Sequence, residues 1–289
     1  MHTLKHILLH ALKDNISLLP FLFFTYCIME YLEKLMEDKS ESAVKYSGKM
    51  GPLLGSLLGI LPQCGFSAAA ASFYSGGVIT IGTMLSIFLS TSDEMLPILI
   101  SAAVPMGTIA KILSTKALIA IIAGFAVDFL LSRFGKANWV QKHIHDLCKQ
   151  ENCHCKEECS VWKSALVHTV KVFGFIFIVS ASLNLVLECG GEALLKDFAS
   201  NNSIFAVMLT GLVGLVPNCA ASVIITHLYL QSYISAGAMI AGLLVGAGVG
   251  VLVLFRTNRP VMQNVKIVGI LYSIGIATGF AIDLMKITF

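Results

Sequence analysis

The chain has 289 residues, of which 56% are hydrophobic and 13% charged, and its mean hydropathy is +0.81. A soluble domain carries about 25% charged residues, so this composition excludes a soluble enzyme, a nucleic-acid-binding module and a disordered protein. It describes an all-α polytopic membrane protein, and the net charge of +3 reflects loop residues of the kind that orient such a protein.

Taken in chain order, residues 2–14 predict an amphipathic helix on which His2, His6 and His10 share a face. That face suits metal capture and an interfacial helix equally. Lys5, Lys13 and Asp14, with no small-residue cleavage site after a short apolar stretch, argue against a cleavable signal peptide. A crossing is expected over residues 16–32 and a charged loop over 33–49. An apolar stretch from 51 to 74 follows, interrupted at Pro62. Then come a segment from 78 to 89, the polar break Ser90-Thr91-Ser92-Asp93-Glu94, a segment from 95 to 104, and a crossing from 117 to 131. Between Gly51 and Val127 the only charges are Asp93, Glu94, Lys111 and Lys116; between Ser203 and Ile282 they are Arg256, Arg259 and Lys266. Because a helix crosses the hydrocarbon core with about 20 apolar residues, each tract holds several crossings.

The two tracts are copies. A shift of 155 residues aligns 55–128 with 210–283 without a gap, and 20 of the 74 pairs are identical. Pro62, Cys64 and Ser67 match Pro217, Cys219 and Ser222; Pro105 and Lys111 match Pro260 and Lys266; Asp128 matches Asp283. The expected organisation is a first transmembrane repeat (1–131), a polar linker (132–163) and a second repeat (164–289). Five segments per repeat give about ten in all, and an odd number inserts the second repeat upside down. Residues 234–255 are continuously apolar where 79–100 are interrupted; four segments per repeat would make the repeats parallel instead.

Two sets of residues carry the chemistry inside the membrane. Proline within a helix removes an amide donor and clashes with the preceding turn, so Pro62-Gln63-Cys64 and Pro217-Asn218-Cys219 should break their helices near the midplane. Unpaired backbone is tolerated there only where it lines a cavity or is buried in protein. The expected substrate-binding residues are Pro62, Gln63, Cys64, Ser67, Pro217, Asn218, Cys219 and Ser222, with His227 two helical turns beyond Cys219; a pair of packing kinks is the plainer alternative. The expected coupling residues are Ser90, Thr91, Ser92, Asp93 and Glu94, since an acid in the membrane costs ~2.5–3.5 kcal/mol unless it faces water, a cation or a proton path. An interfacial loop would remove that cost. The matching segment of the second repeat, 245–249, is uncharged, and Gly242, Gly246 and Gly250 at i+4 spacing offer a packing face. Asp128 and Asp283 suggest interfacial carboxylates paired with Arg133 or Lys286 rather than proton carriers.

The linker concentrates His143, His145, Cys148, Cys153, His154, Cys155 and Cys159. Thiolates interspersed with imidazoles bind Zn²⁺ or another soft metal; four cysteines would otherwise permit disulfides. Its basic residues predict a cytoplasmic location, where thiols stay reduced.

With the duplicated Pro-Gln-Cys and Pro-Asn-Cys breaks, the Ser-Thr-Ser-Asp-Glu tract and the Cys/His linker, the sequence resembles the bacterial family of ten-helix heavy-metal exporters, labelled arsenic efflux protein or manganese transporter. The resemblance implies ten transmembrane segments, an inner-membrane location and efflux of a metal or metalloid. Amides and carboxylates outnumber thiols within the membrane and favour an oxygen-preferring divalent ion such as Mn²⁺; Cys64 and Cys219 favour arsenite or another thiophilic species. The expected function is a secondary transporter working by alternating access with proton exchange. No phosphate loop of the Walker type is present, and no cofactor is required. An intramembrane thiol oxidoreductase is the competing class, but it normally uses a Cys-x-x-Cys pair, which the chain lacks. The expected partners are the metal ion and the lipid bilayer, with a homodimer left open.

Overall fold

A computed structural model describes residues 19–20, 23–24, 27, 40–61, 65–92, 95–133, 166, 169–170, 173–174, 177–178, 203–258 and 260–289. Among these residues there is no strand, those at 19–27 and 166–178 that are described are helical, and ten helices have described bounds: α1 (Ser40–Gly59), α2 (Gly65–Ser75), α3 (Ile81–Ser90), α4 (Met95–Ser101), α5 (Met106–Arg133), α6 (Ser203–Gly214), α7 (Cys219–Leu230), α8 (Ala236–Val245), α9 (Val249–Thr257) and α10 (Val261–Leu284). The shift of 155 residues carries α2–α5 onto α7–α10, and the apolar end of α1 onto α6.

Two expectations need correction. The charged loop expected over 33–49 is partly helix, because α1 already begins at Ser40; Glu41, Ala43 and Lys45 are good helix formers, and charge alone does not make a loop. The continuous apolar run over 234–255 is broken as its counterpart is. Helix α8 stops at Val245 and α9 starts at Val249. Glycine counts as apolar in composition but frees the backbone, and Gly248 adopts φ 52°, ψ −134°, a conformation close to glycine-only.

Helices α1 and α3 run parallel in tight contact, Gly51 lying against Thr83, Gly55 against Thr83 and Ile87, and Gly59 against Ser90. Helix α5 runs antiparallel to both: Ser56 Oγ donates to the Ala117 carbonyl (3.0 Å), and Asp128, near the end of α5, receives hydrogen bonds at the start of α3. Between α1 and α3, α2 starts at Gly65 and joins α3 through the five-residue turn 76–80. Two bonds close this turn, Val78 N to Phe73 O (2.9 Å) and Gly77 N to Tyr74 O (3.0 Å), with Gly77 at φ 75°. This is the Schellman closure that favours glycine. The second half repeats the design. Thr210 Oγ1 donates to the Ala238 carbonyl (2.7 Å), Gly214 lies against Gly242, and Gly275 against Val245. Its turn after α7 has the same two bonds, from Tyr233 N and Ser232 N, with Ser232 forced to φ 60°.

The N-termini of α3 and α8 are capped identically. Asp128 accepts from Gly82 N (2.8 Å) and Thr80 Oγ1 (2.7 Å); Asp283 accepts from Gly237 N (2.9 Å) and Ser235 Oγ (2.7 Å). A carboxylate at a helix N-terminus satisfies orphan amides and complements the dipole. These aspartates hold the ends of neighbouring helices, a role their position at the end of a crossing did not announce.

Contacts between the halves fix their relative direction. Ser67 of α2 lies against Gly250 at the start of α9, and Ser75 at the end of α2 bonds Thr257 at the end of α9 (2.7 Å), so α2 and α9 are parallel. Gln263, at the start of α10, donates to the Tyr74 hydroxyl (2.7 Å), beside the turn at which Thr80 meets Asp128. Helix α10 therefore begins at the end of the bundle where α5 finishes.

Among the described residues, four segments are long and apolar enough to cross a membrane: 81–101 (α3–α4), Met106–Arg133 (α5), 236–257 (α8–α9) and Val261–Leu284 (α10). The two broken ones are mostly buried, whereas α5 and α10 are largely exposed, with Leu118, Ile122, Phe129, Val261 and Met262 on their outer faces. The protein is a multi-pass helical membrane protein with its interrupted helices inside and its continuous ones outside.

Candidate substrate site at the centre of the bundle

Helices α2, α3 and α8 have 11, 10 and 10 residues, or about 15 Å each at 1.5 Å per residue, half of a ~30 Å hydrocarbon core. Each therefore has one end near mid-depth. Helix α1 stops at Gly59 and α2 starts at Gly65; α6 stops at Gly214 and α7 starts at Cys219. The interruptions fall around Pro62 and Pro217, where proline removes a helical donor.

The two kinds of break touch each other. Ser92, in the interruption between α3 and α4, donates from Oγ to the Ile60 carbonyl (2.6 Å), in the interruption between α1 and α2. Ser90 Oγ turns back to the carbonyls of Ser86 (2.8 Å) and Ile87 (3.1 Å), and Thr91 Oγ1 donates to Ile87 O (2.7 Å). All three hydroxyl residues are buried. Asp93 and Glu94 follow them and lie outside the described residues, as do Pro62, Gln63 and Cys64.

In the second half, Pro217 is partly buried. Asn218 is the N-cap of α7, its side-chain oxygen accepting from Ala220 N (3.3 Å). Cys219 is the first residue of α7. Ser67 is fully buried against Gly250; its counterpart Ser222 is partly buried, and its carbonyl accepts from Thr226 Oγ1 (2.7 Å). His227 is exposed in the last turn of α7. The structure thus brings Ser90, Thr91 and Ser92 to the first break and places Asn218 and Cys219 at the second, while His227 lies on the surface. The glycine face splits: Gly242 packs on Thr210 and Ile225, Gly250 on Ser67 and Phe88, and Gly246 caps α8. The linker residues His143, His145, Cys148, Cys153, His154, Cys155 and Cys159 lie outside the described residues. Among the described residues there is no group of three or more His, Cys, Asp or Glu.

Sequence reasoning missed Lys116. It lies in the middle of α5, is 1% exposed, and donates from Nζ to the carbonyls of Thr91 and Leu243, the latter at 3.0 Å. Thr91 is the C-cap of α3, and Leu243 is in the last turn of α8. One ammonium therefore joins the C-terminal ends of two broken helices, one from each half. These two acceptors are backbone carbonyls 25 and 127 residues away, which no side-chain pattern encodes. The one available signal was a lysine in a tract with almost no other charge.

The family described as "Putative, 10TM heavy-metal exporter" matches residues 3–190, well over half of the chain. The chain belongs to this family of heavy-metal exporters. The match covers the first half, the linker and the start of the second half. No curated protein and no solved structure matches the chain. For this family member, the geometry at the centre of the bundle is the natural place to look for a path through the membrane.

Proposed function

We propose that the protein is a secondary active exporter of a divalent heavy-metal ion, Mn²⁺ or a similar oxygen-preferring cation, working by alternating access between two inverted halves. The observation that carries this reading is the convergence of helix breaks from both halves at mid-depth, where α3 and α8 present carbonyl ends to one another. Half-helix C-termini and unwound carbonyls are cation ligands in transporters built from inverted repeats. Gln63 and Asn218 add amide oxygens from the proline breaks, and Asp93 and Glu94 exchange protons for the metal. The five segments expected from sequence take 51–74 as one and 78–89 and 95–104 apart; since 81–101 forms one candidate span, we count the five of the first half instead as residues 16–32, α1, α2, α3–α4 and α5. An odd count reverses the second half, and the opposite course of α5 and α10 supports that reversal. The linker holds Zn²⁺ or another soft metal and captures or senses it on the cytoplasmic side of a bacterial inner membrane.

The test is metal-resolved flux in proteoliposomes, comparing Mn²⁺, Zn²⁺, Fe²⁺ and arsenite with and without a pH gradient. The expected result is divalent-metal flux driven by the gradient, falling by about tenfold or more, the equivalent of ~1.4 kcal/mol, in Gln63→Ala and Asn218→Ala. Unchanged flux in both variants overturns the site. A second reading, export of a thiophilic species such as arsenite, is favoured by the placement of Cys219 at the start of α7 and of Cys64 directly before α2; arsenite flux lost in Cys64→Ser and Cys219→Ser would select it.

A further inference from the structure

Helices leave their last four carbonyls without intrahelical donors, and those ends carry about half a negative charge. At the end of α8 the deficit is explicit. The helical donor for the Leu243 carbonyl would be Ala247 N–H, but this amide bonds Val245 O instead (2.8 Å). Across the bundle, Thr91 is the C-cap of α3, and its own amide bonds Ile87 O. Lys116 Nζ donates to both the Leu243 and the Thr91 carbonyls. Two partial negative charges from opposite halves thus share one positive charge. In inverted-repeat transporters, unwound carbonyls and half-helix C-termini of this kind coordinate a coupling Na⁺ or proton. Leu271 stands at the position equivalent to Lys116 and is fully buried, so one half alone supplies the charge. Asp93 and Glu94 follow in the same break and lie outside the described residues; α3 and α8 contain no ionisable side chain.

We propose that the Lys116 ammonium is a built-in cation: it occupies, from within the chain, the place that a monovalent coupling cation takes between two helix C-termini. The carrier accordingly needs no Na⁺, and shortening Lys116 creates a monovalent-cation site. The occupant of that site is a small cation held by carbonyl oxygens.

The experiment measures thermal unfolding of the detergent-purified full chain in choline, Na⁺, K⁺ and propylammonium chlorides. Wild type should be indifferent to the cation. K116A should be less stable in choline and recover saturably with Na⁺, K⁺ or propylammonium, by about 2–3 °C when the site is filled at ten times its dissociation constant. K116R, which keeps the positive charge, and K116M, which fills the space without offering a site, should show no such response. If K116A does not fold, K116Q, which keeps one amide donor, takes its place in the same comparison. A structural role alone predicts equal destabilisation of K116A and K116M with no cation response, and that result overturns the proposal, as does stabilisation of wild type by Na⁺. This readout is independent of the exported ion, so its failure is distinct from failure of the export reading.

Discussion

The interruption after α3 and the interruption after α8 occupy equivalent places, yet they are built from opposite materials. The first has Ser90, Thr91 and Ser92, whose hydroxyls satisfy the carbonyls of Ser86, Ile87 and Ile60, followed by Asp93 and Glu94. The second has Gly246, Ala247 and Gly248, with no side chain that can donate, and relies on Gly248 at positive φ to turn the chain. The same backbone event is thus stabilised by side chains in one half and by conformational freedom in the other. Lys116 joins the two, rising from the first half to supply a donor to the second. Duplicated architecture permits this division of labour: one copy contributes the polar chemistry and the other the close backbone approach.

The strongest way to break the comparison is Lys116→Met. Charge-assisted bonds contribute roughly 1.5–3 kcal/mol each, so losing both should cost about 3–6 kcal/mol in chemical unfolding, whereas Leu271→Met at the equivalent place should cost less than about 1.5 kcal/mol. Equal losses would remove the asymmetry between the halves. Next come Gly82→Ala and Gly237→Ala. A methyl at either glycine meets the carbonyl of Gly124 or Gly279 and the capping aspartate, and overpacking of this kind costs about 1–3 kcal/mol. The two variants should match closely, since here the halves are alike. Gly248→Ala should cost about 1–3 kcal/mol for its backbone conformation alone; a neutral result would mean that this break does not depend on glycine. The smallest effect is at the turns: Ser232→Gly should stabilise by about 1 kcal/mol and Gly77→Ser destabilise by a similar amount, since a left-handed residue other than glycine costs roughly 1–2 kcal/mol. Thermal shifts of opposite sign would confirm that one closure is strained and its copy is not.

Much of this architecture was legible in the residues. The shift of 155 pairs Pro62 with Pro217 and Asp128 with Asp283, and the structure ends a helix three residues before each proline, at Gly59 and Gly214, and places both aspartates on the same caps. The break at Gly246–Gly248 was hidden because glycine reads as apolar in a hydropathy pattern while acting as a breaker in the backbone. The onset of α1 at Ser40 was hidden because charge was read as loop, although Glu and Lys are helix formers. Lys116 was visible as a rare charge, but its role depends on carbonyls brought close by the packing of α5 against α3 and of α3 against α8, and only a three-dimensional arrangement shows such partners. The His/Cys cluster of the linker, expected from its residue types to hold metal, lies outside the described residues.

The central claim is that the two halves are inverted copies meeting at the middle of the membrane, and its most direct test is the sidedness of the equivalent turns after α2 and α7. Val78→Cys and Tyr233→Cys, each introduced singly into a chain whose native cysteines are replaced by serine, are labelled in intact cells with a membrane-impermeant maleimide. The account predicts that one turn reacts from outside and the other only after the membrane is opened; labelling of both from the same side would contradict it.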